Sequence, residues 1–149
     1  MTWKKGRGKL GLFQPLLGVW QAQAESERGP VTCRREFKQV LQGKYIQLTA
    51  VWDLPGSTYQ EVAMIGVNPE KQIGFWSFTS DGKQARGQLA DVSDVHPQAI
   101  GFEAHMPAGL ARNIYWPDSE NGFYWAVESH TKKGWNRFVE HHYLPVSSS

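Results

Sequence analysis

The chain has one cysteine, no long apolar run and almost no net charge, and each shortage removes a class of protein. Cys33 alone cannot close an intramolecular disulfide, so no disulfide framework holds the fold and a reducing compartment is expected. No apolar stretch approaches the ~20 residues of a transmembrane helix, and no apolar region of signal-peptide length follows the N-terminal charges. The expectation is a cytoplasmic protein without membrane contact. Sixteen basic and fourteen acidic residues leave a net charge of +2, which supplies no footprint for nucleic acid or an anionic membrane. Apolar residues recurring every three or four positions over a helical length are also missing, which excludes a helical domain.

Aromatic residues are what the chain has in plenty: seven Trp, seven Phe and five Tyr among 149 residues, enough to fill a core or to line a cavity. From Val19 onward, turn signals recur at short intervals, among them Glu27-Arg28-Gly29-Pro30, Pro55-Gly56-Ser57, Ser80-Asp81-Gly82, Pro107-Ala108-Gly109 and Lys132-Lys133-Gly134. The runs between them are rich in Val, Ile, Thr, Phe, Tyr and Trp, as half-buried strands are. Ten are predicted, over 18–25, 31–41, 45–53, 59–67, 72–79, 83–91, 99–106, 110–116, 123–131 and 135–144. Short links between sequential strands imply an antiparallel meander, and closing it removes its exposed edges. The fold class is therefore all-β, a single antiparallel up-and-down β-barrel of about ten strands. A helical turn at Leu12-Phe13-Gln14-Pro15-Leu16-Leu17 leads into it. Residues 1–11 are read as a flexible basic arm, 12–146 as the barrel domain and 147–149 as a tail.

Turn geometry assigns some faces. A three-residue loop Lys132-Lys133-Gly134 sets Thr131 opposite Trp135, which places Arg137, Val139, His141 and Tyr143 with Ser129, Val127, Trp125 and Phe123 on the more apolar, inward face. A loop one residue shorter reverses the faces of strand 135–144. At Ser80-Asp81-Gly82 the same reasoning sets Phe75 beside Gly87 and Ser77 beside Ala85, with large rings on both faces. At Gln42-Gly43-Lys44 a loop of two or three residues is compatible with the spacing, so Arg34 and Arg35 both remain candidates for the interior.

Leu17-Gly18-Val19-Trp20 at the head of such a meander, with Gly29-Pro30-Val31, Gly43-Lys44-Tyr45, Ile65-Gly66-Val67-Asn68-Pro69 and a closing aromatic strand, resembles the calycin superfamily. Within it the chain is most similar to an uncharacterised bacterial lipocalin-like, fatty-acid-binding-protein-like barrel family. The resemblance implies that Trp20 plugs one end of the barrel, with an arginine of a late strand, here Arg137, packed across it. In the haem-binding, nitrobindin-like branch, two glycines follow the Trp on the first strand. Ala22 and Ala24 occupy those positions, and their methyl groups count against a flat porphyrin on that wall. No cofactor is therefore expected, with haem as an alternative.

No tight metal-ligand spacing occurs among the five histidines, and adjacent His141 and His142 project to opposite faces of a strand, so no metal is expected. Cys33 has no general base assigned to it and is read as a structural thiol. What remains is a container. Rings of Trp52, Phe75, Trp116 and Trp125 would wall a cavity, while Arg35, Arg137, His141 and Tyr143 would fix a polar head. The expected function is non-catalytic binding of a small hydrophobic or amphipathic molecule by a monomer or homodimer. The alternative is an isomerase or hydrolase using the same cavity with His141 as base. Whether the interior is open or filled by its own rings is left to the structure.

Overall fold

The computed structural model describes residues 3–146; the tail expected at 147–149, and residues 1–2 of the expected arm, lie outside the described residues. Ten strands follow a short 3-10 helix, Gly11–Leu16: β1 (Gly18–Ser26), β2 (Gly29–Val40), β3 (Tyr45–Leu54), β4 (Ser57–Val67), β5 (Ile73–Thr79), β6 (Gln84–Ala90), β7 (Ile100–Met106), β8 (Gly109–Pro117), β9 (Phe123–Thr131) and β10 (Gly134–Pro145). Each pairs antiparallel with the next, and β10 returns to β1, which closes the barrel. The closing pair is the shortest ladder: Trp20 faces Pro145 and Gln21 faces Leu144, with Val146 N–H donating to the Val19 carbonyl at 2.9 Å. Among the described residues no helix is long and apolar enough to cross a membrane.

Strand alternation sorts the side chains. On β3, Ile46, Leu48 and Ala50 are buried inward while Tyr45, Gln47 and Thr49 face outward, the period-two pattern of a sheet with one dry face. Tight turns after β1, β3, β5, β7 and β9 gather at one end, which stays open. The longer links and the 3-10 helix gather at the other. That second end is sealed. The Trp20 indole N–H donates to the Leu16 carbonyl at 2.8 Å, and the ring meets Phe123 edge-on at 4.8 Å. Phe13 of the 3-10 helix stacks on Phe102 at 5.8 Å, tying the helix to the interior.

Residues 3–10, part of the expected arm, lie against the barrel. Trp3 exchanges two backbone hydrogen bonds with the Gln98 side chain, each 3.1 Å, and Gly6 N–H donates to the Gly11 carbonyl at 2.7 Å. Gln98 belongs to the 91–99 link, which folds over the outside of β7 and β8. There Val92 sits on Gly101, where a Cβ would collide with both its methyl groups, and Ile114 and Ala126 are buried on the outer face. Beside them Arg112 bridges Asp94, at 2.7 and 3.1 Å, and buried Glu128, at 2.8 Å. A second, smaller layer of burial therefore covers one wall of the barrel from outside.

The β9–β10 hairpin departs from expectation twice. Its turn is one residue shorter than expected, so that Gly134 pairs with Thr131 and Trp135 with His130. Phe138 is then an extra, bulged residue between Arg137, opposite Glu128, and Val139, opposite Val127. The two one-residue shifts cancel. Val139, His141 and Tyr143 keep the inward face expected for them, while Arg137 is turned outside.

Candidate functional site

The barrel is hollow. A cavity of about 460 Å³ opens toward the tight-turn end, bordered by Leu48, Ile65, Phe75, Phe102 and Trp125 in its depth and by Lys83, Met106 and Phe138 nearer the rim. A smaller space of about 220 Å³ adjoins it beside Ala50, Trp52 and Val139, and shares Arg35, Tyr59, Glu61 and Trp125 with it. Phe75 reaches the interior because β6 opposes it with Gly87, where a Cβ would collide with the ring. This is the Phe75–Gly87 pairing that the turn at Ser80-Asp81-Gly82 implied.

Arg35 is the dominant polar group of the interior. A four-residue link, 41–44, pairs Val40 with Tyr45 and sends Arg35 inward, 2% exposed, and Arg34 out to solvent. One guanidinium N–H donates to the Tyr115 hydroxyl at 2.6 Å, and the group lies 4.2 Å from the Trp125 ring centroid and 5.6 Å from that of Tyr143. Burial pulls the Arg35 pKa down, but Tyr115, Tyr143 and Glu61 more than offset it, so the value stands above the ordinary one and the group is charged. Among the described residues no carboxylate forms an ion pair with it. Its Nε and the indole nitrogen of Trp125 are both buried without a hydrogen-bond partner. Two orphan donors thus occur together beside a cavity, where buried polar groups are normally satisfied.

The expected site residues divide by strand face. Arg35, Phe75 and Trp125 border the large space, and Trp52 borders the smaller one. Tyr143 is wholly buried behind Arg35, stacked on Phe123 at 5.2 Å. His141 is interior but wedged between Trp52 and Trp125, with ring centroids 5.1 and 5.4 Å away, and is not among the residues bordering either space. Trp116 and Arg137 do not come inside. Trp116 lies on the outer face of β8, stacked on Tyr124 at 5.6 Å, because its neighbour Tyr115 takes the inward position. Arg137 lies over Trp116, not over Trp20, and binds Glu128 at 2.9 Å and Glu140 at 2.6 Å, because the Phe138 bulge follows it.

Tyr115, Glu61 and Ser77 are among the polar residues of the interior that were not anticipated as site residues. Glu61 carries a legible signal, since it continues the inward alternation of Ala63 and Ile65 on β4. Ser77 shares its face with Phe75. Tyr115 had no such signal, because rings occupy both faces of β8 at 115–116.

Burial, with the Arg35 charge beside it, holds His141 down from 6.5 to about 4. The folded protein therefore carries it neutral while the unfolded chain protonates it near its ordinary pKa. Its contribution to stability is complete above pH 6.5 and is lost as pH falls through the window to about 4. The urea midpoint is expected to drop between pH 7 and pH 5, and His141→Phe to flatten the profile over that window; parallel profiles would remove His141 as the cause. Burial also pushes the Cys33 thiol up to about 11 and the Tyr115 hydroxyl up to about 12, so both stay protonated at neutral pH. Among the described residues no group of three or more His, Cys, Asp or Glu could hold a metal ion. No protein-family model matches the chain, and no curated protein matches it.

Proposed function

We propose that this barrel is a calycin-like binding protein whose cavity takes a small, mainly apolar molecule with a carboxylate head held by Arg35. One observation carries the reading: a charged guanidinium, buried and unpaired, borders an apolar cavity. Tyr115, Tyr143 and Glu61 hold the guanidinium charged, and a ligand carboxylate would add charge-assisted hydrogen bonds to an ion that has no ion-pair partner among the described residues. Leu48, Ile65, Phe75 and Phe102 offer apolar surface to a hydrocarbon body, and about 460 Å³ lies within the range of roughly 300–1,000 Å³ common for small-molecule sites. A ten-strand meander with a tryptophan-sealed end supports the calycin comparison. The function is carriage or sequestration without chemistry, since His141 stands off the cavity behind two indoles.

Dodecanoic acid is expected to change the tryptophan emission saturably, through Trp125 and Trp52, and to bind at least about tenfold tighter than dodecanol. Hydrogen bonds to a charged group contribute about 1.5–3 kcal/mol each, which the alcohol largely forgoes. Absence of saturable binding by the acid, or equal affinity for the alcohol, would overturn the reading.

A further inference from the structure

The cavity contains a second polar station that a plain hydrocarbon chain leaves unsatisfied. Arg35, Ala50, Glu61 and Thr79 form one row across β2, β3, β4 and β5. With neighbouring strands about 4.8 Å apart, the backbones of Arg35 and Glu61 stand roughly 10 Å apart. Ala50 between them has only a methyl group, and the space it leaves belongs to the cavity. Glu61 and Arg35 do not form an ion pair. The partner of Glu61 is Ser77, 4% exposed, whose hydroxyl donates to Oε2 at 2.5 Å. The other carboxylate oxygen has no hydrogen bond among the described residues.

From this separation we infer that Glu61, one oxygen of which is held by Ser77, accepts a hydrogen bond from a donor on the ligand body, so that the preferred ligand is an amphipathic acid hydroxylated at mid-chain. The inference rests on the carboxylate-binding reading of Arg35. An alkyl chain lying across Glu61 strips water from a carboxylate and returns nothing, which is costly for an ionised group. A hydroxyl at that depth donates to the free oxygen and replaces the lost water. The guanidinium then takes the head and the Glu61 carboxylate the hydroxyl, and an acid without a hydroxyl leaves the second station unsatisfied.

The experiment compares dodecanoic acid with the same acid hydroxylated at mid-chain, by tryptophan fluorescence, on the native protein and three variants. The native protein is expected to bind the hydroxylated acid about tenfold tighter. Glu61→Leu should abolish or reverse that preference while still binding the plain acid. Ser77→Ala removes the internal donor to the carboxylate and should widen the preference, a result that a purely structural serine would not produce. Arg35→Met should weaken both acids alike. Equal binding of the two acids by the native protein, or a preference unchanged in Glu61→Leu and Ser77→Ala, overturns the inference and leaves the carboxylate reading standing. Binding of neither acid overturns both.

Discussion

Replacing Arg35 by methionine is expected to raise the dissociation constant for dodecanoic acid about 100-fold and to leave the urea midpoint unchanged or higher. A factor of 100 is about 2.7 kcal/mol, within what one or two hydrogen bonds to a charged group contribute. The stability half of the expectation follows from the other partners of Arg35. It gains a hydrogen bond to Tyr115 and cation–π contacts with Trp125, Tyr115 and Tyr143, while its Nε goes unsatisfied and, among the described residues, no carboxylate pairs with it. Desolvation of a buried ion costs several kcal/mol, and the cation–π contacts, about 0.5–2 kcal/mol, offset it together with Tyr115, Tyr143 and Glu61, so that little net stability rests on the charge. Methionine keeps much of the volume and adapts to the gap, leaving the Tyr115 hydroxyl short of one donor. Loss of binding without loss of stability would mark a group retained for its ligand. Unimpaired acid binding in a destabilised variant would instead make Arg35 a structural group.

Trp20→Ala should cost about 4 kcal/mol of folding stability, measured by urea denaturation. Trp20 is 8% exposed, and truncating a buried Phe or Trp to Ala typically costs about 3–5 kcal/mol through lost transfer energy and the cavity left behind. The variant also strands the Leu16 carbonyl, which accepts the indole N–H, and removes the ring on which Phe123 rests edge-on. Since single domains are stable by about 5–15 kcal/mol in all, a loss of that size removes a large share of the barrel's stability. Trp20→Phe separates the two contributions, keeping most of the packing and losing the hydrogen bond. A loss below about 1 kcal/mol in the alanine variant would mean that the 3-10 helix seals that end without the indole.

Sequence composition was a sound guide to the strands, because runs rich in β-branched and aromatic residues are separated by turn residues at short intervals. It was a poorer guide to single side chains near irregularities. At β9–β10 a shorter turn and a bulge at Phe138 offset each other, so His141 and Tyr143 face inward as expected although the pairing that predicted them differs. Arg137 lies between the two irregularities and is displaced to the outside. On β8 the spacing allowed either Tyr115 or Trp116 to enter, and the larger ring was the wrong choice. Ile114, Arg112 and Glu128 show why: the outer face of that wall is itself buried, beneath Val92 and Asp94 of the 91–99 link, so ring size and burial no longer mark the interior. That covering brings together residues far apart along the chain, and no local pattern announces it.

What the sequence by itself determined was the closed all-β meander, its ten strands and the inward face of Trp125, while the resemblance to calycins supplied the tryptophan at its sealed end. The meander and the strand faces depend on side-chain alternation and on turn residues, both of which act over a few neighbouring positions. Only the tertiary structure decided that the interior is hollow, that Arg35 and not Arg34 enters it, and that Glu61 faces the same space without pairing to it. A cavity is what remains after side chains from β2 through β10 have met across the barrel, and its volume depends on residues such as Ala50 and Gly87 that are too small to fill it. Whether a charge is paired likewise depends on three-dimensional distance, which neither spacing along a strand nor composition encodes.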